Sequence, residues 1–230
     1  MIDQQKQLTV LLTYFGAFEG VPLNPSQAVV DEATRLLYSS APHLRIETRE
    51  LPVTFAGSGK ALAVALDETR PVLAISCGVA VGRDSVSLER VAINLDDARI
   101  ADNDGFQPTD APITEDAPAA YFSTLPTRAS WQAAVAENLP VSLSYSAGTY
   151  VCNHVFYSLM SLVGPDVPAG FVHVPAITEL HPDHMQAETT AGGVPHPATE
   201  KMPSVALAEA ARVLELVVLT TLAELESSEH

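Results

Sequence analysis

Short apolar runs rich in β-branched residues recur along the chain and alternate with segments of helical periodicity. Leu8–Thr13 and Pro71–Cys77 are typical of strands buried on both faces, and His43–Pro52 alternates like an edge strand. The remaining runs of this kind are Val91–Leu95, Val141–Ser144 and Gly170–Pro175. Strands that alternate with helices usually form a parallel sheet covered on both faces. The sequence therefore predicts an α/β fold, a three-layer α/β/α sandwich with a twisted, mostly parallel central sheet.

The helices between these strands carry recognisable starts. Pro25 begins one helix with Asn24 placed to cap it, and Pro203–Glu226 has the spacing of a long closing helix. Shorter helices are predicted over Gly59–Thr69 and Trp131–Asn138. Residues 96–118 and 181–200 have no periodicity and are predicted to be loops, the first long enough to suggest a function.

Length and composition limit the class of protein. The 230 residues suffice for one core, so we expect a single domain over residues 1–230 with short flexible ends at about 1–7 and 226–230. The net charge of −16 disfavours nucleic acid and anionic membranes as partners. Two cysteines make no disulfide framework, and the N-terminus does not have the pattern of a signal peptide. We therefore expect a cytoplasmic protein.

Cys152 stands where a turn of small residues gives way to an apolar helix. After it, apolar residues follow at positions 155, 156, 159, 160 and 163, which is helical spacing. A cysteine in the first turn of a helix faces unpaired N–H groups and the positive end of the helix dipole, and both favour the thiolate. The sequence therefore predicts that Cys152 is a nucleophile. Cys77 lies inside an apolar strand and is predicted to belong to the core.

A cysteine nucleophile needs a base, which is most often a histidine. His154 lies two positions after Cys152 on the same predicted helix and points to a different side. His173 ends a strand, and the carboxyl ends of strands border the active crevice of open α/β sheets. His173 is therefore the predicted base.

Three carboxylates are suited to orient that histidine and stabilise its charged form. Glu89 stands just before the strand that begins at Val91, so it is about to enter the sheet. Asp97 and Asp102 follow the same strand and compete on the same grounds. The residues alone leave the choice among the three open.

Two other patterns do not make sites. Gly57–Lys60 has the end of a phosphate-binding loop, but Thr54 stands where that loop needs a glycine and Ala61 where it needs a hydroxyl. His181 and His184 lie in a proline-rich loop without a paired ligand motif elsewhere. We therefore expect neither a metal nor another cofactor.

Four segments in order carry a resemblance to a known family. They show its residue pattern from the N-terminal loop through the two regions that hold Cys152 and His173, and together they span most of the chain. The segments are Leu11–Phe18 followed by Asn24–Ser26, Ser87–Asn94 continuing to Ala98–Asn103, Ser146–Tyr157, and Gly170–Pro175. The chain resembles the type I pyroglutamyl peptidases, also called pyrrolidone carboxyl peptidases.

The resemblance implies a function and a set of site residues. Members of the family are cytoplasmic cysteine peptidases that remove an N-terminal pyroglutamyl residue from peptides, need no cofactor and commonly form homodimers or homotetramers. By the resemblance, Cys152 is the nucleophile, His173 the base and Glu89 its acidic partner. It also implies that Arg99 helps to stabilise the oxyanion, that Asp102 is a supporting carboxylate, and that Phe15 and Phe18 hold the pyrrolidone ring.

The chain departs from the family pattern beside the expected ring pocket. Tyr14 stands where the family usually has glycine, Ala17 where it has proline, Val79 where glutamine is common, and Tyr145 where asparagine is common. Tyr14 and Val79 are accordingly counted among the substrate-binding positions. These differences also motivate two alternatives, a binding protein that has lost efficient hydrolysis and a hydrolase for another lactam or N-terminal modification.

Overall fold

A six-stranded mixed sheet forms the centre of the protein in a computed structural model that describes residues 7–17, 23–180 and 203–228. The strand order is β2-β1-β3-β8-β4-β7, and every neighbouring pair is parallel except β8 and β4. The strands in chain order are β1 (Thr9–Phe15), β2 (Arg45–Leu51), β3 (Leu73–Val79), β4 (Val86–Glu89), β5 (Val91–Ile93), β6 (Ala120–Phe122), β7 (Val141–Ser144), β8 (Ala169–Val174), β9 (Ala176–Ile177) and β10 (Ser204–Val205). β5 pairs with β6 and β9 with β10 outside the main sheet.

Helices cover both faces of this sheet. They are α1 (Pro25–Ser40), α2 (Phe55–Thr69), α3 (Thr127–Ala136), α4 (Val151–Leu162) and α5 (Leu207–Ser228), with a short 3₁₀ turn at Thr178–Leu180. Helices α1, α3 and α5 pack together on one face, and α2 and α4 pack together on the other. The predicted α/β/α sandwich with a mostly parallel sheet is confirmed. Within the described ranges, no helix combines the length and the apolar character that a membrane span requires.

The alternation of side chains along β1 divides the apolar residues between two cores. Val10 and Leu12 pack on the α1/α5 side, whereas Leu11 and Phe15 pack on the α2/α4 side. Cys77 is fully buried on the α1/α5 side, so the prediction that it is a core residue is confirmed.

Several element boundaries differ from the sequence predictions. The cap at Asn24 is as predicted, since its side chain accepts from the backbone N–H of Ser26. Helix α2 begins at Phe55 rather than Gly59 because the Thr54 hydroxyl accepts from the Gly57 N–H and caps an extra turn. Helix α3 likewise begins at Thr127 rather than Trp131, α5 begins at Leu207 rather than Pro203, and strands β4, β6, β9 and β10 were not predicted.

Some predictions concern the chain ends and a loop. The helix α5 continues through Glu226 to Ser228, so this part of the predicted flexible C-terminal end is helical. At the other end, Gln7 is the last residue of the predicted flexible segment, and its side chain donates to the Leu44 carbonyl oxygen at 3.4 Å. The loop predicted at 181–200 and residues 1–6 and 229–230 lie outside the described residues.

Asn153 fastens α4 to the segment that follows β4. Its side chain is fully buried, accepts from the Ile93 N–H at 3.0 Å, and donates to the carbonyl oxygens of Ile93 at 2.9 Å and Leu95 at 3.0 Å. The amide therefore replaces a strand partner that the end of β5 would otherwise need. This contact fixes the height of the first turn of α4, which carries Cys152.

Replacing Asn153 by alanine removes three buried hydrogen bonds and leaves backbone groups of Ile93 and Leu95 unpaired. We expect Asn153→Ala to lower the free energy of unfolding by about 2–4 kcal/mol, measured by urea denaturation. The exposed Ser161 on the same helix provides the control, and Ser161→Ala should change stability by less than about 0.5 kcal/mol. Equal stability of the two variants would contradict this assignment.

Candidate active site

The register of the sheet brings Phe15, Gly78 and His173 to one level. Thr13 on β1 pairs with Ser76 on β3, so Phe15 and Gly78, two positions further along these strands, lie side by side. Gly78 in turn pairs with His173 on β8. Because side chains alternate with a period of two, all three positions face the α2/α4 side. They lie at the carboxyl ends of three neighbouring parallel strands, where ligands bind in open α/β sheets.

A cavity of about 710 Å³ opens at this point. Its lining includes six residues predicted for the site: Phe15, Val79, Arg99, Asp102, Cys152 and His173. The volume is within the range of small-molecule sites. The cavity therefore joins most of the predicted residues into one candidate site.

Glu89 and His173 form a buried pair behind this cavity. The Nδ1 atom of His173 donates to Oε1 of Glu89 at 2.8 Å, and the two residues are 3% and 0% exposed. The bond to a carboxylate fixes the tautomer in which Nε2 is the basic nitrogen. Glu89 reaches the ring because β4 runs antiparallel to β8, which sets Ser87 opposite His173 and Glu89 opposite Phe171. Of the three candidate carboxylates, the structure brings Glu89 to His173.

Cys152 lies in the first turn of α4, as predicted, and its sulfur lies over β3. A Cβ atom built on Gly78 would stand 2.8 Å from Sγ of Cys152 and 2.8 Å from Cζ of Phe171. Since Gly78 is the register partner of His173, the sulfur lies beside the strand position of the histidine. Gly148, at φ +78°, supplies the left-handed turn from which the chain enters α4.

The surroundings of Cys152 and His173 favour the neutral form of each side chain. Burial and the charge of Glu89 raise the pKa of the Cys152 thiol to about 12, and Arg83 opposes this only in part. Burial lowers the pKa of His173, against the hydrogen bond and charge of Glu89. The helix start alone favours a thiolate, whereas burial of the sulfur acts in the opposite direction and raises the pKa of the thiol.

Glu89 itself is held in the charged form. Burial alone would raise its pKa, but the hydrogen bond from His173, the charges of His173 and Arg83, and a hydrogen bond from Ser144 outweigh burial and lower it. The ion pair with Arg83, at 2.7 Å to Oε1, was not predicted from the sequence. No local pattern marks Arg83, because the contact depends on how the turn after β3 folds back over β4.

Asp102 holds the cavity wall rather than the histidine. Its Oδ2 accepts from the Phe55 N–H at 2.9 Å, and its Oδ1 accepts from the N–H groups of Asp104 at 3.0 Å and Phe106 at 2.9 Å. The first bond caps the start of α2, and the others close the turn of the loop. The same loop places Arg99 on the cavity surface.

His154 takes part in a different pair. Its Nδ1 lies 2.8 Å from Oδ2 of Asp96, and its ring packs edge-on against Phe55. The structure thus turns His154 toward the loop that begins at Asp96, in agreement with the sequence argument that it does not serve Cys152. The pair ties α4 to that loop.

The structure departs from the expectation at one predicted ring contact, Tyr14. Tyr14 packs with the α1/α5 core, on the face of β1 opposite to Phe15, and is not part of the cavity lining. The cause is the period of two along the strand, which sends adjacent side chains to opposite faces. Phe18 lies outside the described residues. Tyr145 is exposed, with its hydroxyl 3.3 Å from Nη1 of Arg90.

Tyr150 lines the cavity, although the sequence argument did not select it. Its hydroxyl donates to the Ala101 carbonyl oxygen at 3.0 Å, and its ring meets Phe55 edge-on at 5.3 Å. Its place two residues before Cys152 was the available signal. Tyr150 therefore links the approach to α4 with the loop wall.

Comparison with known proteins decides the family. The family model described as pyroglutamyl peptidase matches residues 8–215. The chain belongs to the pyroglutamyl peptidase family. The pyrrolidone-carboxylate peptidase of Clavibacter michiganensis is 49% identical over 173 residues, which are 74% of this chain and 80% of that protein. The pyrrolidone-carboxylate peptidase of Yersinia pestis is 42% identical over 201 residues, 86% and 92% of the two chains.

Solved structures of the pyroglutamyl peptidase family share the fold. Pyroglutamyl peptidase I of Bacillus amyloliquefaciens superposes with a TM-score of 0.78 at 35% identity, covering 94% of this chain and 97% of that one. The pyrrolidone carboxyl peptidase of Thermococcus litoralis gives 0.81 at 33% identity and covers 96% of each chain. The likeness therefore extends over nearly the whole chain.

The close approach at Gly78 can be tested by adding one methyl group. We expect Gly78→Ala to displace Sγ of Cys152 or the ring of Phe171, and to lower the free energy of unfolding by about 1–3 kcal/mol. Urea denaturation measures the loss, and the rate of alkylation of Cys152 by iodoacetamide should change with it.

Gly164 provides the matched control, because a Cβ there meets nothing within 4 Å. Gly164→Ala should leave both measurements near those of the unaltered protein. If Gly78→Ala behaves like Gly164→Ala in both, the sulfur does not lie against β3.

Proposed function

We propose that this chain hydrolyses the bond after an N-terminal pyroglutamyl residue in peptides, with Cys152 as nucleophile, His173 as base and Glu89 as its acidic partner. The observation that carries the proposal is the position of the Cys152 sulfur over Gly78, beside the His173–Glu89 pair and at the edge of the cavity. The chain that carries this arrangement belongs to the pyroglutamyl peptidase family. Membership of the family supports peptides as the substrates.

In the first step, the Cys152 thiol loses its proton while its sulfur attacks the substrate. Since the pKa of the thiol is raised and that of His173 is lowered, both are neutral near pH 7 in the free protein. His173 Nε2 removes the thiol proton as Sγ attacks the pyroglutamyl carbonyl carbon. The carbonyl electron pair moves onto oxygen, and Glu89 stabilises the imidazolium that forms.

The oxyanion lies near the start of α4 in this proposal. The first N–H groups of a helix have no intrahelical partners and stabilise negative charge. Arg99 on the cavity surface adds a positive charge. When the oxyanion collapses, the C–N bond breaks and His173 gives its proton to the leaving amine. His173 then activates a water molecule that hydrolyses the thioester and restores the thiol.

The cavity explains why a lactam is the preferred group. A pyroglutamyl ring has no charged amine, so apolar walls accept it and reject an ordinary N-terminus that would lose its hydration. Phe15 supplies such a wall in the described part of the chain, whereas Val79 borders the cavity at the end of β3 but packs its side chain with the α1/α5 core. We assign Phe18 to the same pocket on the resemblance alone.

The proposal extends to assembly and location. We propose a homodimer or homotetramer, a single peptidase domain over residues 1–230 and a cytoplasmic setting. The net charge of −16 supports the view that nucleic acid is not a partner. The reaction as written needs no cofactor, because side chains and water account for each proton and each bond.

Release of a chromophore from a pyroglutamyl conjugate tests the function directly. We expect turnover by the unaltered protein, and a loss of at least about 10³-fold in Cys152→Ala and Cys152→Ser, because the nucleophile is removed. Cys77→Ala is the matched control and should keep its activity, since that thiol is buried on the other face of the sheet.

The alternatives predict other results in the same assay. Binding of the conjugate without turnover by the unaltered protein would favour a homologue that has lost hydrolysis. Turnover of other lactam or acyl conjugates but not the pyroglutamyl one would favour altered specificity. Full turnover by Cys152→Ala would contradict the role of the thiol.

The pH dependence follows from the environment of His173. The reaction needs the neutral imidazole, so activity is lost as the pH falls through its pKa, which burial sets below the usual 6.5. Glu89 opposes that lowering, so Glu89→Gln should move the acid limb of kcat/KM further down and reduce kcat by about 10²- to 10⁴-fold.

The control for this change is Glu137→Gln, which removes an exposed carboxylate paired with Arg212. It should leave the profile unchanged. An acid limb of the unaltered protein above pH 6.5, or one that Glu89→Gln does not move, would show that His173 is not the base.

A further inference from the structure

Arg83 joins two parts of the site that come from distant points of the chain. It lies between β3 and β4, and its Nη1 donates to Oε1 of Glu89 at 2.7 Å. Its Nη2 donates to the Ser146 carbonyl oxygen at 3.0 Å. Ser146 belongs to the short segment between β7 and α4, so one guanidinium contacts both the carboxylate and the approach to Cys152.

The carboxylate depends on this contact. Oε1 of Glu89 accepts from both His173 and Arg83, while Oε2 is buried and has no hydrogen-bond partner among the described residues. A buried carboxylate that accepts through one oxygen can rotate unless its donors hold it. The Arg83 donor approaches the same oxygen as the histidine and so fixes the direction from which Glu89 meets the ring.

We propose that Arg83 is a positioning residue of the reaction: its two nitrogens hold Glu89 at a fixed place relative to the segment that delivers Cys152, and so align His173 with the thiol. This inference rests on the proposed function. Arg83 acts through Glu89 and the Ser146 backbone. It goes beyond the Cys152, His173 and Glu89 set because it assigns the alignment of that set to a fourth residue.

The geometry distinguishes this role from that of an ordinary surface ion pair. Exposed pairs contribute little, and the Arg83 side chain is 30% exposed, but its partner Glu89 is 0% exposed. A planar guanidinium can donate to two separate acceptors in a fixed fork, whereas an ammonium group acts as a point charge. Lysine at position 83 would therefore keep the charge and lose the fixed link between the two acceptors.

The charge of Arg83 also acts on the histidine. It lowers the pKa of His173, in the sense opposite to Glu89. From β3 the register partner of His173 is Gly78, which brings no charge. Among the described residues, the charged and titratable groups around the cavity and the pair are Glu89 from β4, Arg83 from the turn before it, Cys152 from α4 with Tyr150 before it, and Asp97, Arg99 and Asp102 from the loop wall.

The test compares Arg83→Gln, Arg83→Lys and a matched control, Arg90→Gln. Arg90 follows Glu89 directly, but its guanidinium lies over the exposed Tyr145 ring at 5.5 Å. Replacing Arg90 by glutamine therefore removes one positive charge near Glu89, as Arg83→Gln does, but leaves the contacts of Glu89 with His173 and Arg83 in place. Values of kcat and KM for a pyroglutamyl conjugate are measured from about pH 5 to about pH 9.

The variants should separate charge from geometry. We expect Arg83→Gln to lower kcat by about 10- to 100-fold with KM nearly unchanged, a loss comparable to that seen when groups that orient metal-binding histidines are removed. Its acid limb should move to higher pH, because the imidazolium is no longer repelled. Arg83→Lys should keep the acid limb of the unaltered protein yet lose kcat, and Arg90→Gln should match the unaltered protein.

Each outcome decides between the possibilities. An unchanged kcat and acid limb in Arg83→Gln would overturn the proposal, and if that variant does not fold, an unchanged kcat in Arg83→Lys would overturn it. If the unaltered protein has no turnover, the proposed function fails first. The pKa of His173 measured by NMR then tests the contact, and a value equal in Arg83→Gln and Arg90→Gln would overturn it.

Discussion

A single buried oxygen atom organises the site. Oε1 of Glu89 accepts from Nδ1 of His173 and from the guanidinium of Arg83, and all three groups come from different strands or turns. The pair can exist only because β4 enters an otherwise parallel arrangement in the opposite direction, next to β8. A parallel β4 would bring a different part of the strand to the histidine. The direction of one short strand therefore decides which carboxylate of the chain becomes the partner of the imidazole.

Burial sets the charge state of the remaining groups. The thiol of Cys152 and the imidazole of His173 are both shifted toward their neutral forms, while His173, Arg83 and Ser144 together outweigh desolvation and lower the pKa of Glu89. A thiol whose pKa is shifted in this direction is less reactive toward oxidants and electrophiles than a thiolate. In the mechanism proposed above, the thiol proton therefore moves to His173 as the sulfur attacks the substrate carbonyl.

Much of the architecture could be predicted from the sequence, and the exceptions have physical causes. The strand and helix pattern gave the sandwich, and the small-residue turn before Cys152 located the first turn of α4. From the residues alone, the choice of Glu89 over Asp97 and Asp102 as the partner of His173 stayed open. His173 lies 84 positions from Glu89, and no local pattern records their contact. The raised pKa of Cys152 was equally hidden, since burial belongs to the assembled fold. The position of Tyr14 was different, because its place next to Phe15 on a strand already implied the opposite face.

The loop wall of the cavity is built into the ends of two helices. Asp102 bonds to the first N–H of α2, and the hydroxyl of Thr149, just before α4, donates to the Asp97 carbonyl oxygen at 2.7 Å. Movement of this wall away from the cavity would break contacts at both helix starts. The conformational entropy of the wall is therefore lost when the chain folds and not when a ligand arrives. The described part of this wall is therefore held in place by the folded chain before any ligand binds.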